Sequence, residues 1–114
     1  MPRILVVEDD VATQLFIEHV LIGAGYDVDA AGTMSGGTDL LRCRRYDLVL
    51  LDVKLPDGIG LEIADLAGEK GTQALMITGH AFTLPAWTHD RYEFLLKPVG
   101  AAEILMAVER TLTH

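Results

Sequence analysis

Four short apolar runs in this chain each stop at a residue that can do chemistry. One stops at Glu8, Asp9 and Asp10, the others at Asp52, at Thr78 and at Lys97. Acids, a hydroxyl and an ammonium are what a phosphoryl-accepting aspartate needs. Asp52 is the candidate nucleophile, because an aspartate carboxylate can take a phosphoryl group as a covalent intermediate. Lys97 would pair with the transferring oxygens as a point charge, and the Thr78 hydroxyl would donate to one of them. Carboxylates gathered at one point repel unless a cation joins them, and an all-oxygen site suits Mg²⁺ or Mn²⁺ better than zinc. Asp9 and Asp52 are placed to ligate directly and Glu8 directly or through water, with a backbone carbonyl near Lys54 completing the protein ligands. Taken singly, each residue has an ordinary reading. The acid triplet suits the positive end of a helix, a Thr commonly closes a strand, and a Lys before Pro can simply face solvent. Their joint placement carries the inference.

Rival chemistries lack their residues. His19, His80, His89 and His114 have no metal-ligand spacing, and there is no CxxC pair. No GxGxxG or GxxxxGK[ST] loop supports nucleotide binding, and no Gly-x-Ser-x-Gly elbow supports a serine hydrolase.

For the four ends to meet, the runs at 4–7, 48–51, 74–77 and 94–96 must be parallel strands of one open sheet, which binds ligands at its carboxyl edge. The runs alternate with segments of helical period, the pattern of a parallel sheet with helices on both faces. Five strands and four or five helices are expected. The first helix covers 11–23 with Leu15, Ile17, Val20 and Leu21 inward and Gly25 closing its end. A strand follows at 27–31. Thr33 is the expected N-cap of a second helix reaching Cys43, loosened by Gly36 and Gly37, each costing up to about 1 kcal/mol against Ala. The run 48–51 is apolar throughout, as in a central strand covered on both faces. Pro56 and Gly58 make 53–58 a tight loop, and 61–67 reads as a short helix. The last helix, 101–112, puts Ile104, Leu105, Val108 and Leu112 into the core. Between Thr78 and Lys97 no clean period shows, and Pro85 would interrupt a helix, so a fourth helix is short, irregular or missing.

The 114 residues suffice for one domain and one core. Seventeen acids against nine bases give a net charge of -8, which repels a phosphate backbone and argues against nucleic-acid binding. Arg42, Arg44 and Arg45 read as a solvated helix end, where cations suit the dipole. No apolar stretch approaches the roughly 18 to 20 residues of a membrane span, so a soluble, unprocessed, cytoplasmic protein without a membrane partner is expected. The lone Cys43 reads as incidental.

At these residues the chain strongly resembles the receiver domain of bacterial two-component response regulators. Ile4-Leu5-Val6-Val7-Glu8-Asp9-Asp10 is similar to the family's opening strand and acidic pair, and Leu50-Leu51-Asp52-Val53-Lys54-Leu55-Pro56-Asp57-Gly58 to its phosphoacceptor segment. Met76-Ile77-Thr78-Gly79 and Phe94-Leu95-Leu96-Lys97-Pro98 resemble its two later motifs. The resemblance spans the chain and implies a CheY-like, flavodoxin-like, doubly wound five-stranded parallel sheet of order 2-1-3-4-5. It further implies that Glu8 and Asp9 hold Mg²⁺, Asp52 is phosphorylated, Thr78 is the switch hydroxyl, Lys97 contacts the phosphoryl group and Lys97-Pro98 is cis. Phe94 would be the aromatic switch residue, filling the space Thr78 leaves on moving inward. His80 and Lys54 lie where the family tunes the phosphoryl lifetime. Upstream, the resemblance implies a sensor histidine kinase or a histidine phosphotransfer protein; downstream, a protein target.

Both spacings, Asp52 to Thr78 and Thr78 to Lys97, are a few residues shorter than in the family. This trims the third helix, degrades the fourth and puts the family's usual dimer in doubt, leaving Phe82, Leu84 and Trp87 to form a partner loop or to pack over the sheet edge. The expectation is a single stand-alone receiver over 1–114 with no output domain, acting through a partner or as a phosphate shuttle or sink. It would be no enzyme beyond its own phosphorylation and dephosphorylation. The alternatives are a receiver-like interaction module that is never phosphorylated, an aspartyl-phosphate hydrolase, which wants an acid where Lys54 stands, and a flavin binder, which wants a phosphate loop.

Overall fold

The computed structural model describes residues 2–79 and 92–113. Strands β1 (Arg3–Val7), β2 (Asp27–Ala31), β3 (Leu48–Asp52), β6 (Gln73–Thr78) and β7 (Glu93–Leu96) form one sheet. All its pairings are parallel and its order is β2-β1-β3-β6-β7, the order implied by the resemblance. Every residue of β3 is buried, as a strand covered on both faces requires.

Four helices are seen among the described residues: α1 (Val11–Gly23), α2 (Met34–Cys43), α3 (Leu61–Glu69) and α4 (Ala101–Leu112). Alternation along the strands divides the core in two. Leu5, Val7, Val49, Leu51 and Met76 pack with residues of α2 and α3, whereas Ile4, Val6, Leu48, Leu50, Leu75 and Ile77 pack with residues of α1 and α4. Each such side chain contributes about 1.5–3 kcal/mol by leaving water, so the strands are held chiefly by their two covered faces. The segment where a fourth helix is expected to be short, irregular or missing, with His80, Phe82, Leu84 and Trp87, lies outside the described residues.

Two helix ends follow the sequence closely. Gly25 has φ 95°, and the Gly25 and Tyr26 amides donate to Ile22 and Leu21 at 3.0 and 3.2 Å, the paired bonds of a Schellman motif. Thr33 caps α2, its hydroxyl accepting from the Gly36 amide at 3.0 Å.

Several expectations need correction. Leu15 does not face inward and is 57% exposed. The buried residues of α1 are Ile17 and Leu21, four apart on one face, and at about 100° per residue Leu15 lies some 200° round from Ile17. The α2 glycines do not interrupt the helix, which is continuous over ten residues. A Cβ on Gly37 would stand 2.9 Å from a Val7 methyl and 3.2 Å from Ile63, so Gly37 lets α2 press on β1 and α3. The segment 53–58 is more than a loop. Lys54–Leu55 (β4) pairs antiparallel with Gly58–Ile59 (β5) across Pro56 and Asp57. The third helix also runs two residues beyond the expected 67, to Glu69.

Candidate functional site

Parallel register gathers the site. Val7 pairs with Leu51, so Glu8 and Asp52 are the next residues of adjacent strands, and Asp52 pairs with Ile77. Thr78 pairs with Leu96, immediately before Lys97, and the Lys97 amide donates to the Thr78 carbonyl at 3.0 Å. Asp9, Asp52, Lys54, Thr78 and Lys97 line one cleft of about 440 Å³ at the carboxyl edge of the sheet. The structure thus brings Asp9, Asp52, Lys54, Thr78 and Lys97 to one place.

The acid triplet divides its labour. Asp10 is the N-cap of α1, accepting from the Thr13 amide at 3.0 Å and the Thr13 hydroxyl at 2.5 Å. Those bonds, the hydroxyl's first, hold its carboxyl below the usual aspartate value. Asp10 therefore has the ordinary role of an acid at a helix start. Glu8 and Asp9 instead join Asp52 in a cluster whose carboxylate oxygens lie within 4.8 Å of one another. Glu8 is buried and Asp9 exposed.

The Lys97 ammonium lies between the two buried acids, donating to Glu8 Oε1 and Asp52 Oδ2, each at 2.8 Å. Asp52 Oδ1 accepts from the Lys54 amide at 3.1 Å. Burial, then the neighbouring Asp52 carboxyl, pushes the Glu8 carboxyl up to about 7 against the pull of Lys97. Burial alone would lower Lys97, but the Asp52 and Glu8 carboxylates outweigh it and leave Lys97 above the usual lysine value. Among the described residues, the second oxygen of Glu8 is buried without a hydrogen-bond partner. A bare buried carboxylate oxygen beside two further carboxylates, in a set of oxygen donors only, fits a hard divalent cation.

Phe94 is half-buried and packs on the α2/α3 side of the sheet with Met76. Since strand residues alternate and Phe94 pairs with Met76, Phe94 and Thr78 occupy the same face. The Lys97-Pro98 bond is cis. Lys54 is exposed, and its side chain occupies the position where an aspartyl-phosphate hydrolase wants an acid.

Sequence reasoning missed three supporting residues. The Gln14 amide donates to the Glu8 and Ala31 carbonyls at 2.8 and 3.1 Å, fixing the turn that carries the acids. No sequence signal marks it. Gly60 fits against Asp52 itself, where a Cβ would stand 2.3 Å from the Asp52 carbonyl oxygen. Asp57, legible only as a turn residue, bonds the start of α2 with both oxygens.

A family model described as the response regulator receiver domain matches residues 4–109. The chain belongs to that family. This receiver is 35% identical over 115 residues to the probable transcriptional regulatory protein SilR of Salmonella typhimurium, across 96% of this chain and 50% of SilR. The chain thus spans about half the length of that curated relative. Among solved structures it superposes on a CheY-like receiver domain from Methanospirillum hungatei with a TM-score of 0.90, at 28% identity over 99% of this chain and 94% of that one. The response regulator TrrA of Thermotoga maritima, solved in complex with Mg²⁺-BeF, gives 0.86 at 25% identity over 97% of this chain and 99% of that one.

At the far end of the sheet, Arg42, Arg44 and Arg45 are exposed around the end of α2, as expected of a solvated helix terminus. Cys43 is free and exposed. No described helix is long and apolar enough to cross a membrane.

Proposed function

We propose that the chain accepts a phosphoryl group on Asp52 from a phosphohistidine, with Mg²⁺ held by Glu8, Asp9, Asp52 and the Lys54 carbonyl, and with Mn²⁺ able to substitute. The observation that carries this is the buried Glu8–Lys97–Asp52 bridge beside an unsatisfied Glu8 oxygen. An Asp52 oxygen attacks phosphorus, the phosphorus–nitrogen bond to the donor imidazole breaks, and the imidazole leaves with the bonding electron pair. Lys97 exchanges a carboxylate oxygen for a phosphoryl oxygen as its partner, and Thr78, in the same cleft, donates to another. A bound divalent ion would neutralise charge on the transferring oxygens. The family match and TrrA's Mg²⁺-BeF complex support this chemistry.

The reaction is transfer to the chain itself followed by hydrolysis of the aspartyl phosphate, which restores the Asp52 carboxylate and releases inorganic phosphate, so the protein is a switch rather than an enzyme acting on other substrates. Phosphorylation adds charge and acceptor oxygens that favour the inward position of Thr78. Phe94, on the same face, repacks and changes the surface that a downstream protein reads.

The donor docks on α1. Val11, Leu15 and Phe16 expose 67%, 57% and 43% of their surface. Beside them a groove of about 480 Å³, lined by Phe16, Ile17, Pro98 and Ile104, opens at Lys97. An apolar helical surface carrying the phosphohistidine would cover this groove and present phosphorus to Asp52. A histidine kinase or a histidine phosphotransfer protein supplies that chemistry, in the cytoplasm where such donors act.

Intact mass after incubation with Mg²⁺ and acetyl phosphate tests the reading. Gain of one phosphoryl group that needs Mg²⁺ and is absent from Asp52→Asn is expected. No gain from acetyl phosphate or from histidine donors would point instead to a phosphorylation-independent interaction module.

A further inference from the structure

The segment after Asp52 must hold a shape that its own contacts do not guarantee. β4 and β5 are two residues each, and isolated two-stranded hairpins are marginal in water even when longer. The root of the hairpin is fixed by Gly60, whose amide donates to the Val53 carbonyl at 2.6 Å, and Leu55 is anchored in the core. Lys54 and Ile59, the pair facing across the hairpin, are exposed. Yet the Lys54 backbone meets the phosphoacceptor, since its amide donates to Asp52 Oδ1.

The free end of the hairpin is tied down by Asp57. Its Oδ1 accepts from the Met34 amide at 2.8 Å and its Oδ2 from the Ser35 amide at 3.1 Å. These are the first two residues of α2, and Thr33 covers the third amide. A carboxylate at a helix N-terminus meets both unpaired amides and the positive end of the helix dipole, and hydrogen bonds to a charged acceptor are about twice as strong as neutral ones. Met34 also lies over Gly58, its sulfur in the space a Gly58 Cβ would take. The hairpin is therefore held at its root by β3 and at its tip by α2.

We propose that Asp57 is a positioning residue for phosphoryl acceptance, clasping the tip of the 54–59 hairpin to the start of α2 and so fixing the Lys54 peptide against Asp52. The proposal rests on the reading of Asp52 as a metal-assisted acceptor with the Lys54 carbonyl among its ligands. Asp57 touches neither metal nor phosphate and acts through the hairpin.

The test compares Asp57→Ala and Asp57→Asn with Thr33→Ala, which removes the other cap of the same helix end without touching the hairpin. In chelator, hydrogen exchange of the Lys54 amide is followed by NMR, Mg²⁺ is then titrated, and thermal melts are recorded. Asp57→Ala should speed Lys54 exchange and weaken Mg²⁺ binding by about tenfold, as loss of outer-shell support does, with Asp57→Asn between it and wild type. Thr33→Ala should lower the melting temperature and leave Lys54 exchange and Mg²⁺ affinity alone. Wild-type Mg²⁺ affinity in Asp57→Ala, or equal weakening in Thr33→Ala, would overturn the proposal. Should Asp57→Ala fail to fold, Asp57→Asn carries the same comparison. A wild-type chain that binds no Mg²⁺ would overturn the acceptor reading and this proposal together.

Discussion

Lys97 Nζ lies 2.8 Å from Asp52 Oδ2, joining residues 45 positions apart that end strands separated in the sheet by β6. The contact sets a cation against Asp52, shared with Glu8, and on the proposed reading that is where phosphoryl oxygens would arrive. Lys97 is partly exposed and also pairs with Glu8.

Replacing Lys97 with Ala should leave Glu8 and Asp52 facing each other without a cation. Removing one partner of a buried ion pair costs about 3–5 kcal/mol, and partial exposure of Lys97 should reduce this to about 2 kcal/mol at neutral pH. Urea unfolding in chelator measures it. Added Mg²⁺ should recover stability, while phosphoryl gain from acetyl phosphate stays well below wild type.

Stability of the metal-free chain should carry the titration of Glu8. Its carboxyl is raised from 4.5 to about 7 in the folded state, so the folded chain holds that proton more tightly than the unfolded one. The resulting stabilisation is complete below about pH 4.5 and is lost as pH rises through about 7. Melts of wild type and Glu8→Gln in chelator should diverge over that window, the wild type losing stability relative to the variant. Parallel curves would contradict the assignment.

Gly37→Ala distinguishes helix propensity from packing. Propensity alone favours Ala by up to about 1 kcal/mol. The new methyl would stand 2.9 Å from Val7 and 3.2 Å from Ile63, and overpacking a filled core costs about 1–3 kcal/mol. Net destabilisation is expected by chemical denaturation.

Gly60→Ala should damage the site rather than α3. A methyl 2.3 Å from the Asp52 carbonyl oxygen must displace Asp52 or the hairpin root. Slower phosphorylation at saturating Mg²⁺, with helix content by circular dichroism unchanged, is the expected result.

The residues that make the site were legible because each follows an apolar run. β3 is apolar on both faces, and Asp52 at its end is the departure from that pattern. Caps were legible for the same local reason, Thr33 and Gly25 being the residue types that helix ends need. Leu15 misled because α1 is apolar nearly all round. Val11, Leu15, Phe16 and Ile22 are exposed, which blurs the helical period that separates inside from outside. Gly36 and Gly37 read as weakness because close approach of α2 to Val7 is a tertiary fact. The Asp57 clasp joins residues more than 20 positions apart through backbone amides, and no residue type announces such a partner.

The most direct measurement locates the phosphoryl group. The chain is phosphorylated by a phosphorylated histidine phosphotransfer protein with Mg²⁺, then treated with borohydride, which reduces an aspartyl phosphate to homoserine, and its peptides are sequenced by mass spectrometry. Homoserine at position 52 alone, absent when Mg²⁺ is chelated, is the expected result. Reduction at another acid, or none from any histidine donor, would contradict the assignment of Asp52 as the acceptor.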